Sequence, residues 1–104
     1  MTPIRMTQAT AFVLRALATG HRHGFEIMDV TGLASGTVYP VLRRLEGESA
    51  VSSAWEAEDE ARSAGRPRRR VYQLTPHGEA LAQAAADRLR DAMRFLADDG
   101  LAGA

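Results

Sequence analysis

The stretch that most constrains the fold runs from Ser35 to Glu46 and reads SGTVYPVLRRLE. Its apolar residues recur at the spacing of one helical face, which predicts a helix packed into a core through Val38, Val41, Leu42 and Leu45. We expect the hydroxyl of Ser35 to cap the first turn of this helix by accepting a backbone N–H.

The opposite face of the same helix carries small groups, a phenol and a cation: Gly36, Thr37, Tyr39, Pro40, Arg43 and Gly47. Backbone amides and the helix dipole favour an anion at the N-terminal end of a helix. This face therefore suits a groove of nucleic acid, while an ordinary surface helix with polar cover is the alternative at this point.

The residues before this stretch predict two more helices. Thr7 is expected to cap a helix that runs to about Ala18, with an apolar stripe of Ala9, Phe12, Val13, Ala16 and Leu17. A second, short helix is expected over residues 25–30, and residues 31–34 then turn the chain into Ser35. Two short helices joined by a tight turn are the helix-turn-helix pattern, which helical hairpins without DNA share.

Residues 51–55 and 70–74 alternate in the manner of half-buried strands and predict a hairpin. Trp55 is expected to pack its ring on the helices. The connecting segment is predicted to be a flexible loop that is acidic from Glu56 to Glu60 and then rich in arginine. The acidic run is expected to hold the arginines against the protein in the absence of DNA, with either Arg69 or Arg70 paired to it. Three helices followed by such a ribbon predict a winged helix, mainly α with a small two-stranded β-wing.

Thr75 and Pro76 are expected to open a last helix that runs to about Leu96, because they provide a capping hydroxyl and a proline at the first helical position. Residues 98–100 are expected to end it. Its apolar stripe is too long for so small a domain to cover, which predicts a homodimer held by Leu81, Ala85, Leu89, Ala92, Met93 and Leu96. We therefore expect a DNA-binding domain over residues 1–75 and a dimerisation helix with a frayed tail over residues 76–104.

Composition sets further bounds on this chain of 104 residues, which we expect to form one winged-helix core. Its cations are 13 arginines and no lysine, balanced by 13 acidic residues. Arginine suits phosphate and guanine, although genomic base composition explains the bias equally well. No catalytic constellation, metal-ligand cluster or cysteine is present, so we expect no enzyme, no cofactor and no metal site. We expect a cytoplasmic protein without membrane contact, since no apolar run or signal-peptide pattern points elsewhere.

With these residues in view, the sequence resembles the PadR family of transcriptional regulators over roughly residues 9–96. The resemblance rests on residues 23–27, 35–46, 55–56, 65–67 and 72–78. It implies homodimeric winged-helix DNA-binding proteins, mostly repressors, that dimerise through the C-terminal helix and bind inverted repeats of double-stranded DNA. By position, it also implies DNA contacts by Ser35, Gly36, Thr37, Tyr39, Pro40 and Arg43.

The wing supplies the other candidate DNA contacts. The resemblance implies that the tip at Gly65-Arg66-Pro67 reaches the DNA backbone or minor groove. Arginine side chains favour a narrow minor groove, where the potential is most negative, which makes Arg66 and Arg68 candidates. Arg69 is a third candidate, because Arg69 and Arg70 alternate across the strand and one of them is expected to face phosphate.

Ser49 departs from the family pattern, since the family usually has a glycine after the recognition helix. A residue other than glycine there is expected to cost about 1 kcal/mol if the backbone has a positive φ.

Two alternatives stay open from the sequence. One is a small module that binds another protein or RNA through its last helix and basic loop. The other is a ligand-responsive regulator with a small-molecule pocket at the dimer interface, flanked by Trp55, Met93 and Phe95, for which the sequence names no ligand.

Overall fold

The computed structural model describes residues 6–97 of the chain. Over this range the helices and strands follow the order α1 (Gln8–Ala18), α2 (Gly24–Thr31), α3 (Ser35–Gly47), β1 (Val51–Trp55), α4 (Glu58–Ser63), β2 (Arg70–Leu74) and α5 (Pro76–Ala97). The predicted helices and strands are confirmed, and α4 is additional. The predicted end of the last helix at residues 98–100 lies outside the described residues.

The core forms where α1, α2 and α3 meet. Leu14 of α1, Ile27 of α2 and both Leu42 and Leu45 of α3 are fully buried there. The inner face of α3 is thus the one predicted from its spacing. Phe12, which was expected to share the buried stripe of α1, remains partly exposed because it lies at the groove between α1 and the far part of α5.

The start of α1 follows the prediction, whereas the start of α3 does not. Thr7 caps α1 by accepting the N–H of Thr10 at 3.1 Å. The expected cap by Ser35 is wrong, because Ala34 already has the extended cap conformation and its carbonyl accepts the N–H of Val38 at 3.0 Å. Ser35 is therefore the first helical residue, and within the described residues no side chain caps this helix start.

The two strands form an antiparallel ribbon with a register from Val51 opposite Leu74 to Trp55 opposite Arg70. Tyr72 lies on the face toward the core and is buried, and its backbone N–H donates to the Arg22 carbonyl at 2.8 Å. This bond ties the wing to the turn between α1 and α2.

Two expectations for the wing are wrong. The connection between the strands is partly helical, since α4 buries Ala61 against the protein. The ring of Trp55 does not pack on the helices but is 56% exposed, with the guanidinium carbon of Arg70 5.3 Å from its centroid. Direct cross-strand pairing with Arg70 provides this cation–π contact.

The turn after α3 explains the position of Ser49. Its φ is 61°, in the left-handed region. The N–H of Ala50 donates to the Leu45 carbonyl at 2.8 Å and the N–H of Ser49 to the Glu46 carbonyl at 3.0 Å. These bonds form the Schellman motif, in which this position usually carries glycine. The expected strain at Ser49 is therefore present.

The start of α5 is built against the same turn. The Thr75 hydroxyl accepts the N–H of Gly78 at 3.1 Å and donates to the Ser49 carbonyl at 2.6 Å. A Cβ on Gly78 would lie 1.8 Å from the Ala50 carbonyl oxygen, so only glycine allows this close approach. The contact fixes the direction in which α5 leaves the wing.

The first half of α5 packs against α1 and belongs to the common core. Ala85 has no exposed surface within its own chain, which corrects its expected role in a dimer interface, because no area is left there for a partner. The last turns of α5 extend beyond the core and expose Met93, Phe95 and Leu96 by 70%, 76% and 69%. Among the described helices, none is long and apolar enough to span a membrane.

Candidate nucleic-acid interface

The outer face of α3 presents the predicted DNA contacts on one surface. Ser35, Gly36 and Arg43 are exposed, and Thr37, Tyr39 and Pro40 are half-buried. Since the first backbone N–H groups of a helix have no intrahelical partner, the uncapped start of α3 can donate them to an anion. The face combines these donors with the cation of Arg43 one turn beyond Tyr39.

Pro40 and Gly36 shape this helix start together. Pro40 lacks the N–H that would donate to the Gly36 carbonyl four residues earlier. A Cβ built on Gly36 meets only open space within 4 Å, so nothing in the described chain requires glycine there. Because Gly36 has no side chain, a binding partner can approach the backbone of the helix closely at this position.

Tyr39 connects α3 with the start of α2. Its ring lies so close to Gly24 that a Cβ there would meet the hydroxyl oxygen at 2.3 Å. The start of α2 is held by Glu26, whose carboxylate accepts the N–H of Arg22 and of His23 at 3.2 and 3.3 Å. Burial raises the pKa of Glu26, but these two backbone hydrogen bonds outweigh it and the net pKa is lowered.

A cleft of about 180 Å³ joins α2, α3 and the wing. Its lining includes Tyr39 together with Arg68, Arg69 and Arg70. The structure therefore brings α3, the first residue of β2 and the two arginines before it into one continuous surface. Tyr72 also lines this cleft, and burial raises the pKa of its hydroxyl.

One carboxylate organises the arginines of the wing. Both terminal nitrogens of Arg66 donate to the carboxylate of Glu56, one of them to Oε2 at 2.8 Å. Arg69 Nη2 donates to the same oxygen at 3.4 Å, and Arg68 Nε donates to the Glu56 backbone carbonyl at 2.8 Å. The hydrogen bond from Arg66 is the main cause that lowers the pKa of Glu56 to about 2.

Within the described chain, Glu56 is the member of the acidic run that holds Arg66 and Arg69, whereas Asp59 contacts only Arg62 within α4, at 3.8 Å. The other acidic residues of that run begin α4 and are exposed. Arg69 is the strand arginine that pairs with the run. The pairing of Glu56 with Arg66 and Arg69 depends on the path of α4, which the sequence does not predict. The sequence shows only that a glutamate directly follows the strand that ends at Trp55.

Arg70 forms a different link, from the wing to the end of α3. Its Nε donates to Ser53 Oγ at 3.1 Å, and its Nη2 lies 3.9 Å from Glu46 Oε2. Ser53 Oγ in turn donates to Glu46 Oε2 at 2.7 Å. This network fixes the wing relative to α3, and no spacing in the sequence predicts it.

The predicted dimer residues lie along α5 in two groups. Leu81 and Leu89 are half-buried against the core, whereas Met93 and Leu96 are exposed. A groove of about 580 Å³ between α1 and α5 is lined by apolar residues that include Phe12, Leu89, Ala92, Met93 and Leu96.

The predicted flanks of a ligand pocket are not brought together within one chain. Met93 lines this groove and Phe95 lines a neighbouring one, while Trp55 belongs to the wing. Over residues 6–97 no cluster of potential metal ligands occurs.

The fold and this surface define a winged helix-turn-helix protein, with α2 and α3 as the helix-turn-helix and β1 and β2 as the wing. Residues 13–84 match the model of the transcriptional regulator PadR-like family. The chain belongs to this family, which confirms the resemblance predicted from its motifs. The family consists of transcriptional regulators and not of enzymes, as the sequence analysis expected.

Solved structures share the fold. A variant of ZitR from Lactococcus lactis superposes with a TM-score of 0.71 at 17% identity, over 96% of this chain and 64% of that one. Wild-type ZitR in complex with DNA gives 0.66 at 16% identity, over 95% and 63%. A PadR family transcription regulator from Clostridium difficile R20291 gives 0.64 at 22% identity, over 86% and 95%. The chain thus spans less than two thirds of the length of ZitR. No curated protein matched the sequence.

Proposed function

We propose that the protein binds double-stranded operator DNA as a homodimer and acts as a repressor in the cytoplasm. The observation that carries the proposal is the continuous surface formed by the uncapped start of α3, Arg43 and the cleft that Tyr39 shares with the wing arginines. In such folds the start of the recognition helix enters the major groove and contacts base edges. The complex of ZitR with DNA supports the same use of this fold.

The proposed roles of the residues follow from their positions. Ser35, Gly36 and Thr37 bring the helix start to the DNA backbone, and Arg43 reaches toward a base edge. A bidentate contact between arginine and guanine contributes about 1–3 kcal/mol of discrimination. Tyr39 and Pro40 hold the shape of this helix start.

The proposed homodimer rests on the exposed half of α5. Met93, Phe95 and Leu96 form an apolar end on an otherwise charged helix. A second copy of the same helix covers this end and the adjacent groove between α1 and α5. A dimer then presents two α3 helices to half-sites of an inverted repeat about 34–36 Å apart.

The test is binding to the DNA upstream of the protein's own coding region, titrated at several salt concentrations beside random DNA. Wild type is expected to bind the upstream fragment more tightly, with a steep salt dependence. Arg43→Ala should lose most of this preference, at a cost of about 1–3 kcal/mol in specific binding.

Arg44→Ala is the matched control. Arg44 is exposed on the same helix, but it is one residue further along and therefore projects in a different direction from Arg43. It removes the same charge and should leave the sequence preference unchanged. Absence of DNA binding by a folded, dimeric wild type would contradict the proposal and favour a module that binds protein or RNA.

A further inference from the structure

The carboxylate of Glu56 lies at the point where β1 leaves the ribbon. Its side chain is 5% exposed, and its backbone N–H donates to the Arg69 carbonyl at 2.8 Å, which extends the pairing of the strands by one residue. Glu56 therefore belongs to the framework of the wing, unlike the exposed acids of α4 that follow it.

Arg66 is committed to this carboxylate. It donates to both oxygens of Glu56, which uses the planar fork of the guanidinium in a two-point pair. Arg66 is also the less exposed of the two arginines that pair with Glu56. The carboxylate of Glu56 neutralises the charge of a guanidinium held in this way and occupies two of its five N–H donors, which weakens Arg66 as a phosphate contact.

Arg68 is held differently. It is anchored through Nε to a neutral backbone carbonyl, so its full charge and its terminal nitrogens remain at the exposed surface. Arg69 shares only one weak contact with Glu56, at 3.4 Å, and also lines the cleft beside Tyr39. Glu56 thus neutralises Arg68 and Arg69 less fully than it neutralises Arg66.

We propose that Glu56 is a positioning residue that withholds Arg66 from DNA and leaves the phosphate contacts of the wing to Arg68 and Arg69. This inference rests on the proposed function and revises the role expected for Arg66, which becomes a structural pair of the wing. Because the pKa of Glu56 is about 2, the pair stays ionised over the whole range of ordinary binding assays.

The experiment measures binding of the full chain to a labelled duplex of random sequence over a series of NaCl concentrations. The slope of log K against log salt counts phosphate contacts, with about 0.9 lost for each contact removed. Arg68→Gln should lower the slope by about this amount per subunit. The double variant Glu56→Gln with Arg66→Gln removes the pair without changing the net charge and should leave the slope at the wild-type value.

The single variant Glu56→Gln releases Arg66 and should make the slope steeper, by up to about 0.9 per subunit. Glu58→Gln is the matched control, since it removes the same charge from an exposed position two residues further on. A slope in the double variant that falls as far as in Arg68→Gln would overturn the proposal, because Arg66 would then contact DNA directly.

Trp55 provides a readout that needs no DNA. It is the only tryptophan of the chain and precedes Glu56 directly, so its time-resolved fluorescence anisotropy reports motion of the wing. Glu56→Gln should increase the amplitude of fast motion relative to wild type and Glu58→Gln, with unchanged helical circular dichroism. Equal amplitudes would overturn the positioning role. Failure of wild type to bind DNA would instead contradict the proposed function, so the two failures are distinguishable.

Discussion

Ser49 shows how one residue can conflict with its backbone. Its left-handed φ of 61° is imposed by the hydrogen bonds that end α3 and by the bond from the Thr75 hydroxyl to its carbonyl. This conformation costs free energy because the Cβ of serine is crowded in it, whereas glycine has no Cβ and adopts it without strain. The site connects the recognition helix to both the wing and α5, so the chain keeps the turn at some expense of stability.

Ser49→Gly is expected to raise the free energy of unfolding by about 1 kcal/mol, because it removes this strain without removing a side-chain contact. Urea unfolding followed by circular dichroism measures the change. Ser52→Gly, at an exposed position of β1, should instead lower stability by a fraction of a kcal/mol, because glycine disfavours a strand. An unchanged or lower stability of Ser49→Gly would show that the backbone is not strained there.

At the level of secondary structure, α3 and the wing form one unit. The hydrogen bonds that link Arg70 through Ser53 to Glu46 hold the ribbon at a fixed angle to the helix. The cleft around Tyr39 lies between the helix and the ribbon. Glu56 holds the far end of the same ribbon. The surface proposed to bind DNA is therefore held in place by contacts within the protein itself.

The ion pairs of Glu56 predict a defined response to acid. Its pKa is about 2 in the folded protein against 4.5 for an ordinary glutamate, so its contribution to stability is complete above pH 4.5 and is lost as the pH falls through 2. Wild type should be more stable than Glu56→Gln at pH 7, and the difference should shrink between pH 4.5 and 2. Urea midpoints over this range test the prediction, and a difference that does not depend on pH would contradict it.

Hydrophobic spacing was sufficient to predict α3, because Val38, Val41, Leu42 and Leu45 cover one face without interruption. It was not sufficient for α4, which is short and highly charged and buries only Ala61. The sequence also did not predict which acid the wing arginines contact. Glu56 and Arg66 are ten positions apart and meet only because α4 brings the chain back.

The same limit applies to α5. A helical stripe does not distinguish the core of one chain from an interface between two, so Ala85 and Met93 belonged to one predicted set. The structure separates them, because α1 covers Ala85 completely and leaves Met93 exposed.

As a whole, the molecule is elongated, with extents of 58 × 34 × 22 Å. The long axis arises because α5 has 22 residues and its last residues, from Met93 onward, are exposed. The surface proposed for DNA lies on α3 and the wing, while the apolar surface lies at the far end of α5. This separation allows one end of each subunit to bind DNA while the other pairs with a second copy.

Leu96→Arg is expected to convert the dimer to a monomer, because it places a charge in the apolar end of α5. Gln83→Arg, at an exposed position in the first half of α5, is the control and should stay dimeric. Sedimentation equilibrium distinguishes the two states. The monomer should bind the operator about 100-fold more weakly, since it loses the second half-site. A dimeric Leu96→Arg protein would contradict this assignment.

The measurement that tests the DNA-binding surface most directly compares Gly36→Ala with Gly47→Ala for stability and for operator binding. Both glycines lie in α3 with open space around them, so alanine at either position should raise stability by about 0.5–1 kcal/mol. Only Gly36→Ala should weaken operator binding, by about tenfold or more, because its methyl group would lie where we propose that the DNA backbone approaches the helix start. Equal operator affinity of the two variants would contradict a DNA interface at the N-terminal end of α3.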